Sequence, residues 1–221
     1  MKQETLDLIE KIKIDLRKML SEKRYNHSIG VMNKAIELAK IYGVDEDKAA
    51  LTGLAHDIAK DIPNDEAFKI ASDNNVEIDD FVKKLNTNLL HGKIGAIIVK
   101  QRYGFDEQMQ EAIKFHTEAI PDFDTLGKII YVADKIEETR NYSPEIDNWR
   151  KIAEENLDEA MLCIINYMIK RLIDKNIIIP PITIETRNKI MIDRHLSYWQ
   201  MPKNIIKLGI FINGGDFYGK C

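Results

Sequence analysis

Cysteine is scarce in this sequence of 221 residues, which has only Cys163 and Cys221. Two cysteines cannot build the disulfide framework of a small secreted domain, and they are typical of a protein in a reducing compartment. The N-terminus is charged and helix-like, where a secretory signal has an unbroken apolar segment. We therefore expect a cytoplasmic protein.

Long apolar runs and an excess of positive charge are also missing. The longest apolar stretches, at 94–99 and 177–182, are far shorter than the about 18 residues that span a bilayer. The 32 Lys and Arg residues are outnumbered by 36 Asp and Glu residues, so the net charge is -4. The sequence therefore predicts neither a membrane protein nor a nucleic-acid-binding protein, and a polyanionic substrate would need a local positive site.

Glycine and proline are few, at 11 and 6 residues, which disfavours an all-β fold built on tight turns. Apolar residues instead recur every three or four positions along most of the chain, which is typical of helices. The predicted helices cover residues 5–20, 25–42, 45–58, 65–74, 79–85, 90–103, 107–115, 126–139 and 157–174. Residues 177–179 read as a connector before two prolines, and residues 205–212 could form a strand. We expect an all-α fold.

Histidine and aspartate carry the pattern of interest. Of the five histidines, the first four each lie at or near one end of a predicted helix. Adjacent residues of a helix point about 100° apart, so His56 and Asp57 can face one centre only near a helix end. Antiparallel helix packing can bring six side chains into one pocket: His27, His56, Asp57, His91, His116 and Asp134.

This combination of imidazoles and carboxylates indicates a particular class of metal. It suits iron, manganese, cobalt or zinc, whereas calcium and magnesium prefer all-oxygen sites. Six ligands exceed what one catalytic metal takes from a protein, so we expect two divalent transition-metal ions bridged by Asp57. Such a pair holds a hydroxide between the ions and clamps a phosphoryl group for in-line attack. The sequence therefore predicts hydrolysis of a phosphate ester or phosphoanhydride.

Cations within six residues of a candidate ligand could meet the phosphates of a substrate. We expect Arg24 or Arg140 to orient the phosphates and Lys60 to neutralise their charge, the alternative being that all three are solvated surface charges. Tyr131 could stack on a nucleobase, although an aromatic residue at this spacing is more often part of the core. His195 is expected to be structural or exposed.

The sequences around these residues resemble those of the HD superfamily of metal-dependent phosphohydrolases. More specifically, they resemble the bacterial YqeK-type HD proteins, which are symmetrical diadenosine tetraphosphate hydrolases. The resemblance extends over about residues 5–190. The segments that carry it are RYNHS at 24–28, LAHDIAK at 54–60, LHGKIGA at 90–96, AIKFHT at 112–117 and KIIYVADKIE at 128–137.

The resemblance implies an all-helical HD bundle with a metal site between helices and a di-iron centre. It implies cleavage of a dinucleoside tetraphosphate, diadenosine tetraphosphate, into two nucleoside diphosphates. From the six candidate ligands we expect a metal-bridging hydroxide to attack, with Asp57 and Lys60 as catalytic residues. The implied ligands of one metal are His27, His56, Asp57 and Asp134, and those of the other are His91, His116 and the shared Asp57. The HD-type domain is expected at residues 1–190, followed by a C-terminal extension at 191–221.

Two short segments differ from the family pattern. Glu118 and Ala119 occupy positions where the family has a small residue and glycine, and Glu138 and Thr139 occupy those of proline and glycine. Two other functions stay open: an HD-type nucleotidase or guanosine-polyphosphate hydrolase, and a nucleotide-binding module without catalysis. The expected partner is a small nucleotide, and a homodimer is a further possibility.

Overall fold

The computed structural model describes residues 1–78, 80–85 and 87–199. Helices and their connections make up this part of the chain, and the described residues contain no β-strand. The helices are α1 (Gln3–Met19), α2 (Glu22–Tyr42), α3 (Glu46–Ala55), α4 (Asn64–Asp73), α5 (Asp80–Leu85), α6 (Leu90–Tyr103), α7 (Glu107–Phe115), α8 (Thr125–Ile136), α9 (Ile146–Glu155), α10 (Leu157–Asp174) and α11 (Pro181–Trp199). The predicted all-α fold is confirmed.

Each of the nine predicted helices has a counterpart in the structure, and residues 177–179 form the expected connector. Two helices, α9 and α11, are not in the prediction. Helix α11 passes residue 190 without a break, so the expected boundary between domain and extension falls inside a helix. The strand expected at 205–212 and the side chain of His195 lie outside the described residues.

Helix α8 is the centre of the bundle. It is buried along nearly its whole length and contacts α2, α3, α7, α9 and α10. A helix that is apolar on all sides gains stability by being surrounded, and Leu126, Ile129, Ile130 and Val132 are all fully buried. Asp134, in the second half of α8, is therefore buried among neighbours from several helices.

Helix α3 ends three residues before the predicted position. After Ala55 the chain continues in tight turns, in which the backbone N–H of Ile58 donates to Ala55 (3.0 Å) and that of Lys60 donates to Asp57 (2.8 Å). These contacts span three residues rather than the four of an α-helix, so successive side chains change direction. The turn allows two adjacent residues, His56 and Asp57, to face the same side.

Helix α8 also ends three residues earlier than predicted, at Ile136. The next residue, Glu137, has a ψ of 162°, which is extended. Its buried carboxylate accepts hydrogen bonds from the backbone N–H and the hydroxyl of Thr139, at 2.7 and 2.6 Å. These local side-chain contacts compete with helical hydrogen bonds and turn the chain away from the helix axis.

Membrane-spanning helices are not found in the part of the chain that the structure describes, since no helix there combines the necessary length and apolarity.

The start of α6 lies unusually close to the end of α7. A Cβ atom placed on Gly92 would be 2.5 Å from the carbonyl oxygen of Lys114 and 3.1 Å from that of Ile113. Because both neighbours are backbone atoms, neither can move without shifting α7. Gly92 therefore allows the two helix ends to meet.

We expect Gly92→Ala to lower the free energy of unfolding by about 1–3 kcal/mol, because the added methyl group forces α6 and α7 apart. Thermal denaturation followed by circular dichroism measures the change. Gly95→Ala is the matched control on the same helix, where the nearest atom is a movable side-chain carbon of Ile113 at 3.2 Å. Equal losses in the two variants would contradict the close approach at Gly92.

Candidate metal centre

Five segments of the bundle deliver polar side chains to one buried place. His27 comes from the first half of α2, His56 and Asp57 from the turn after α3, and His91 from the start of α6. His116 follows the last residue of α7, and Asp134 lies on α8. The structure thus brings together all six candidate ligands expected from the sequence, and each of them is buried.

The six side chains meet through specific atoms. Nε2 of His27 lies 2.9 Å from Oδ1 of Asp134, and Nε2 of His56 lies 3.8 Å from the same oxygen. On the other side, Oδ1 of Asp57 lies 3.1 Å from Nε2 of His91 and 3.4 Å from Nε2 of His116. Two groups of three have donor atoms within 4.8 Å of one another: His27, His56 and Asp134, and His56, Asp57 and His116.

Each imidazole is oriented by a contact at its other nitrogen. Nδ1 of His56 lies 2.8 Å from the carbonyl oxygen of Gly53, and Nδ1 of His116 lies 2.7 Å from that of Ile113. His91 makes the equivalent contact with the carbonyl of Asn88, and Nδ1 of His27 lies 3.0 Å from a carboxylate oxygen of Glu137. Because all four partners are acceptors, Nδ1 carries the hydrogen in every ring, which is the arrangement typical of metal-binding histidines.

The Nε2 lone pairs therefore point into the shared space. The Nε2 atoms of His91 and His116 are 3.1 Å apart, and two lone pairs at that distance repel each other. Nε2 of His56 is fully buried without a hydrogen-bond partner. A positive charge placed among these atoms, from a proton or a metal ion, would satisfy them all, so the donor set fits a divalent cation.

Comparison with known proteins agrees with this geometry. Residues 24–139 match the HD domain family, and this range contains all six clustered side chains. The chain belongs to the HD domain family. Together with the cluster of histidine and aspartate residues, this membership indicates a site for divalent metal.

Relatives and a solved structure extend the match beyond the HD domain. The chain is 37% identical to a symmetrical bis(5'-nucleosyl)-tetraphosphatase of Bacillus subtilis, over 78% of this chain and 92% of the relative. It is 36% identical to the protein of the same name from Halalkalibacterium halodurans, over 79% and 92%. A crystal structure of a predicted HD superfamily hydrolase involved in NAD metabolism, from Clostridium acetobutylicum, is 42% identical with a TM-score of 0.80, covering 84% of this chain and 97% of that chain.

The carboxylates of this HD protein are held in the ionised form. Burial alone would raise the pKa of Asp57, but a proton shared with the neighbouring imidazoles of His56, His91 and His116 resides on a ring nitrogen, which holds the pKa of the carboxyl well below the usual value. The pKa of Asp134 is also lowered against the effect of burial, chiefly by the ammonium group of Lys135. Burial lowers the pKa of His56 to about 3 and that of His91 to about 4, so both rings are neutral near pH 7. Neutral imidazoles and ionised carboxylates are the forms that bind metal.

The three cations expected near the site are all there. Nη1 of Arg24 lies 3.1 Å from Asp57, and Nζ of Lys60 lies 3.2 Å from Nε2 of His91. Nη2 of Arg140 lies 2.6 Å from Oδ1 of Asp134, and its Nε donates to the backbone carbonyl of the same residue at 2.8 Å. Arg24, Lys60 and Arg140 therefore each contact a side chain of the cluster and are not simply solvated.

Tyr131 is where the structure departs from the expectation. It belongs to the hydrophobic core, is 1% exposed, and has Nζ of Lys135 5.1 Å from its ring centroid. A ring surrounded in this way offers no free face to a nucleobase, so stacking by Tyr131 is not supported. Tyr131 is instead part of the core, as an aromatic residue at this helical spacing more often is.

Two contacts at the cluster are absent from the sequence expectations. Glu137 orients His27, and Lys135, which is buried, forms an ion pair with Asp134. Lys135 directly follows Asp134 and Glu137 is three residues away, so both lie within one helical turn of an expected ligand. That proximity was the available signal, but helical spacing alone does not show which neighbours turn inward.

We expect Mn²⁺ to raise the melting temperature of the metal-free HD protein, because a ligand that binds only the folded state stabilises it. The gain is about 2.7 kcal/mol when free metal is 100 times the dissociation constant. For a chain of this length each kcal/mol corresponds to about 2–4 °C. Differential scanning fluorimetry with and without Mn²⁺ measures the shift.

His56→Ala should lose most of that shift, because it removes an imidazole from the middle of the cluster. The exposed Asp65 on α4 provides a control, Asp65→Asn, which should keep the full shift. A full Mn²⁺ shift in His56→Ala would show that the metal binds elsewhere.

Proposed function

We propose that this chain hydrolyses diadenosine tetraphosphate symmetrically into two molecules of ADP. The observation that carries the proposal is the convergence of four imidazoles and two carboxylates in one pocket, in a chain that is 37% identical to a symmetrical bis(5'-nucleosyl)-tetraphosphatase. A decayed binding module would have no need for so complete a set of donors. Catalysis is therefore the better interpretation.

The metal ligands that we propose fall on either side of Asp57. One divalent ion would be held by His27, His56, Asp57 and Asp134, and the second by Asp57, His91 and His116. Iron is the proposed metal, and manganese, cobalt and zinc suit the same donors. When bound, the two ions supply an activated water and neutralise charge on the phosphoryl group under attack.

Asp57 has the geometry that a shared ligand needs. Its Oδ1 faces Nε2 of His91 at 3.1 Å, and its Oδ2 faces Nη1 of Arg24 at 3.1 Å and Nε2 of His56 at 3.8 Å. The two oxygens therefore point to different parts of the pocket. The turn after α3 fixes this orientation, which supports a bridging role.

The cations divide into two kinds of role. Arg24 has 37% of its side chain exposed, and Lys60 is partly exposed, so both can meet phosphate oxygens at the mouth of the pocket. Burial lowers the pKa of the Lys60 ammonium group, and an anionic phosphate beside it would favour the charged form. Arg140 contacts Asp134 through two donors, so in our proposal it steadies Asp134 while its remaining N–H groups grip a phosphate.

A second substrate class deserves the same test. The solved relative from Clostridium acetobutylicum carries the description of a hydrolase involved in NAD metabolism. NAD, like diadenosine tetraphosphate, contains a phosphoanhydride between two nucleosides. HD-type action on nucleoside monophosphates or guanosine polyphosphates is the other alternative, and a nucleotide panel separates these possibilities.

The remaining expectations about the chain stay proposals. We propose that residues 1–190 contain the HD-type domain and that residues 191–221 extend it. A homodimer and a cytoplasmic location also stay predictions from the sequence.

With Mn²⁺ or Fe²⁺, we expect the protein to convert diadenosine tetraphosphate into ADP alone, because attack at an inner phosphorus splits the chain into equal halves. Anion-exchange chromatography of the products distinguishes this result from ATP plus AMP. Asp57→Asn should lose nearly all turnover while its helical circular-dichroism signal persists, and Asp65→Asn should keep its turnover. Formation of ATP and AMP would refute the symmetrical reaction.

Replacing Lys60 by methionine should lower kcat about 10²–10³-fold, since a charged donor to the developing phosphoryl charge is removed at similar side-chain length. The two metal ions should stay bound, because Lys60 is not among the proposed ligands, and elemental analysis checks this. Lys69→Met on the exposed face of α4 is the matched control. Unchanged kcat in Lys60→Met would remove Lys60 from the mechanism.

A further inference from the structure

His27 is oriented differently from the other three imidazoles. His56 and His116 follow helix ends, and each contacts the carbonyl three residues before it. Carbonyls in the last turn of a helix lack helical partners, so they are free to accept. His27 lies within α2, where the nearby carbonyls already accept helical hydrogen bonds. It contacts a carboxylate from another part of the chain, that of Glu137.

The Glu137 carboxylate is fixed on every side. The residue is 0% exposed, and Oε1 accepts from Nδ1 of His27 at 3.0 Å and from the Thr139 hydroxyl at 2.6 Å. Oε2 accepts from the backbone N–H of Thr139 at 2.7 Å. Gly30 on α2 leaves the space that Oε2 fills, because a Cβ atom at Gly30 would overlap this oxygen.

The backbone around Glu137 is held as firmly as its side chain. Arg150 on α9 donates from Nε to the carbonyl of Ile136 and from Nη2 to that of Glu137, both at 2.8 Å. These carbonyls lie at the end of α8, where they lack helical partners. Contacts from α2, α9 and the end of α8 therefore hold the Glu137 carboxylate against the His27 imidazole.

A carboxylate and a carbonyl affect an imidazole differently. Both fix the hydrogen on Nδ1, but the charged carboxylate makes Nε2 more electron-rich and a stronger metal donor. We propose that Glu137 is a positioning residue that gives the metal position of His27 a higher affinity than the position of His91 and His116. This inference rests on the proposed function, because it assumes that the cluster binds two metal ions.

The test is a zinc titration of the full-length protein, followed by two-bond ¹H–¹⁵N correlation of the imidazoles and by calorimetry. Zn²⁺ is the probe because it is diamagnetic and takes the same donors. In the wild type, the His27 signals should respond to the first equivalent and those of His91 and His116 to the second. Nδ1 of His27 should be the protonated nitrogen throughout.

Glu137→Gln keeps the size of the side chain and removes its charge. We expect the first zinc affinity to fall about 10–100-fold and the second to stay within twofold. Hydrolysis of diadenosine tetraphosphate should fall at limiting metal and recover at excess metal, which a general loss of fold would not allow. Thr139→Val, which removes only the hydroxyl contact, should show a smaller loss of the first affinity.

Glu138→Gln is the matched control, because Glu138 is the exposed neighbour of Glu137. It should leave both affinities unchanged. If wild-type protein takes up two zinc ions but Glu137→Gln binds the first as tightly as the wild type does, or if His91 and His116 fill first, Glu137 does not have this role and the proposed function stands. If the wild type binds no zinc at the cluster, the proposed function itself is wrong.

Discussion

The structure depends on a concentration of buried polar atoms that cannot satisfy one another. Four Nε2 atoms point into one space, and those of His91 and His116 are 3.1 Å apart. A buried polar atom without a partner costs about 1–3 kcal/mol, so neutral rings alone would make this arrangement unfavourable. Arg140 and Lys60 already place a donor beside Nε2 of His27 and of His91, at 3.1 and 3.2 Å, and a cation between the rings and the carboxylates would also satisfy the unpartnered Nε2 of His56. The cluster is therefore built for a cation.

The bundle meets this constraint by placing helix ends at the cluster. A histidine at a helix end can donate Nδ1–H to an unpaired carbonyl, as His56 and His116 do, and so point Nε2 elsewhere. Within a helix that acceptor is missing, and His27 takes a carboxylate from another part of the chain. Burial of the aliphatic side chains of α8 offsets the free-energy cost of burying the polar groups around Asp134.

Periodicity and residue type were sufficient for much of this arrangement. Nine helices followed from the spacing of apolar residues, and the adjacent pair His56 and Asp57 required a helix end, which the structure has. The bounds were less accurate, since α3 and α8 stop where the chain makes contacts across three residues or through a side chain. Local sequence contains little of that information.

Contacts between distant parts of the chain were the main omission. His27 and Glu137 are 110 residues apart, and nothing in either local pattern pairs them. Arg150 belongs to α9, which was not predicted, so its contacts with the end of α8 could not be foreseen. Tyr131 shows the opposite difficulty, because helical spacing places a residue near the site without telling whether it faces the pocket or the core.

Charge around the cluster is distributed unevenly. Asp134 is matched by the buried Lys135 and by Arg140, whereas Asp57 is matched by the partly exposed Arg24 and has Lys60 nearby. Arg24 and Lys60 can leave their present contacts and meet an incoming phosphate, whereas the Lys135 side chain is only 11% exposed and is paired with Asp134. In the proposed reaction the tetraphosphate therefore enters over Asp57. His27 and Glu137 are both buried, so a metal ion bound firmly at His27 would be a fixed part of the site.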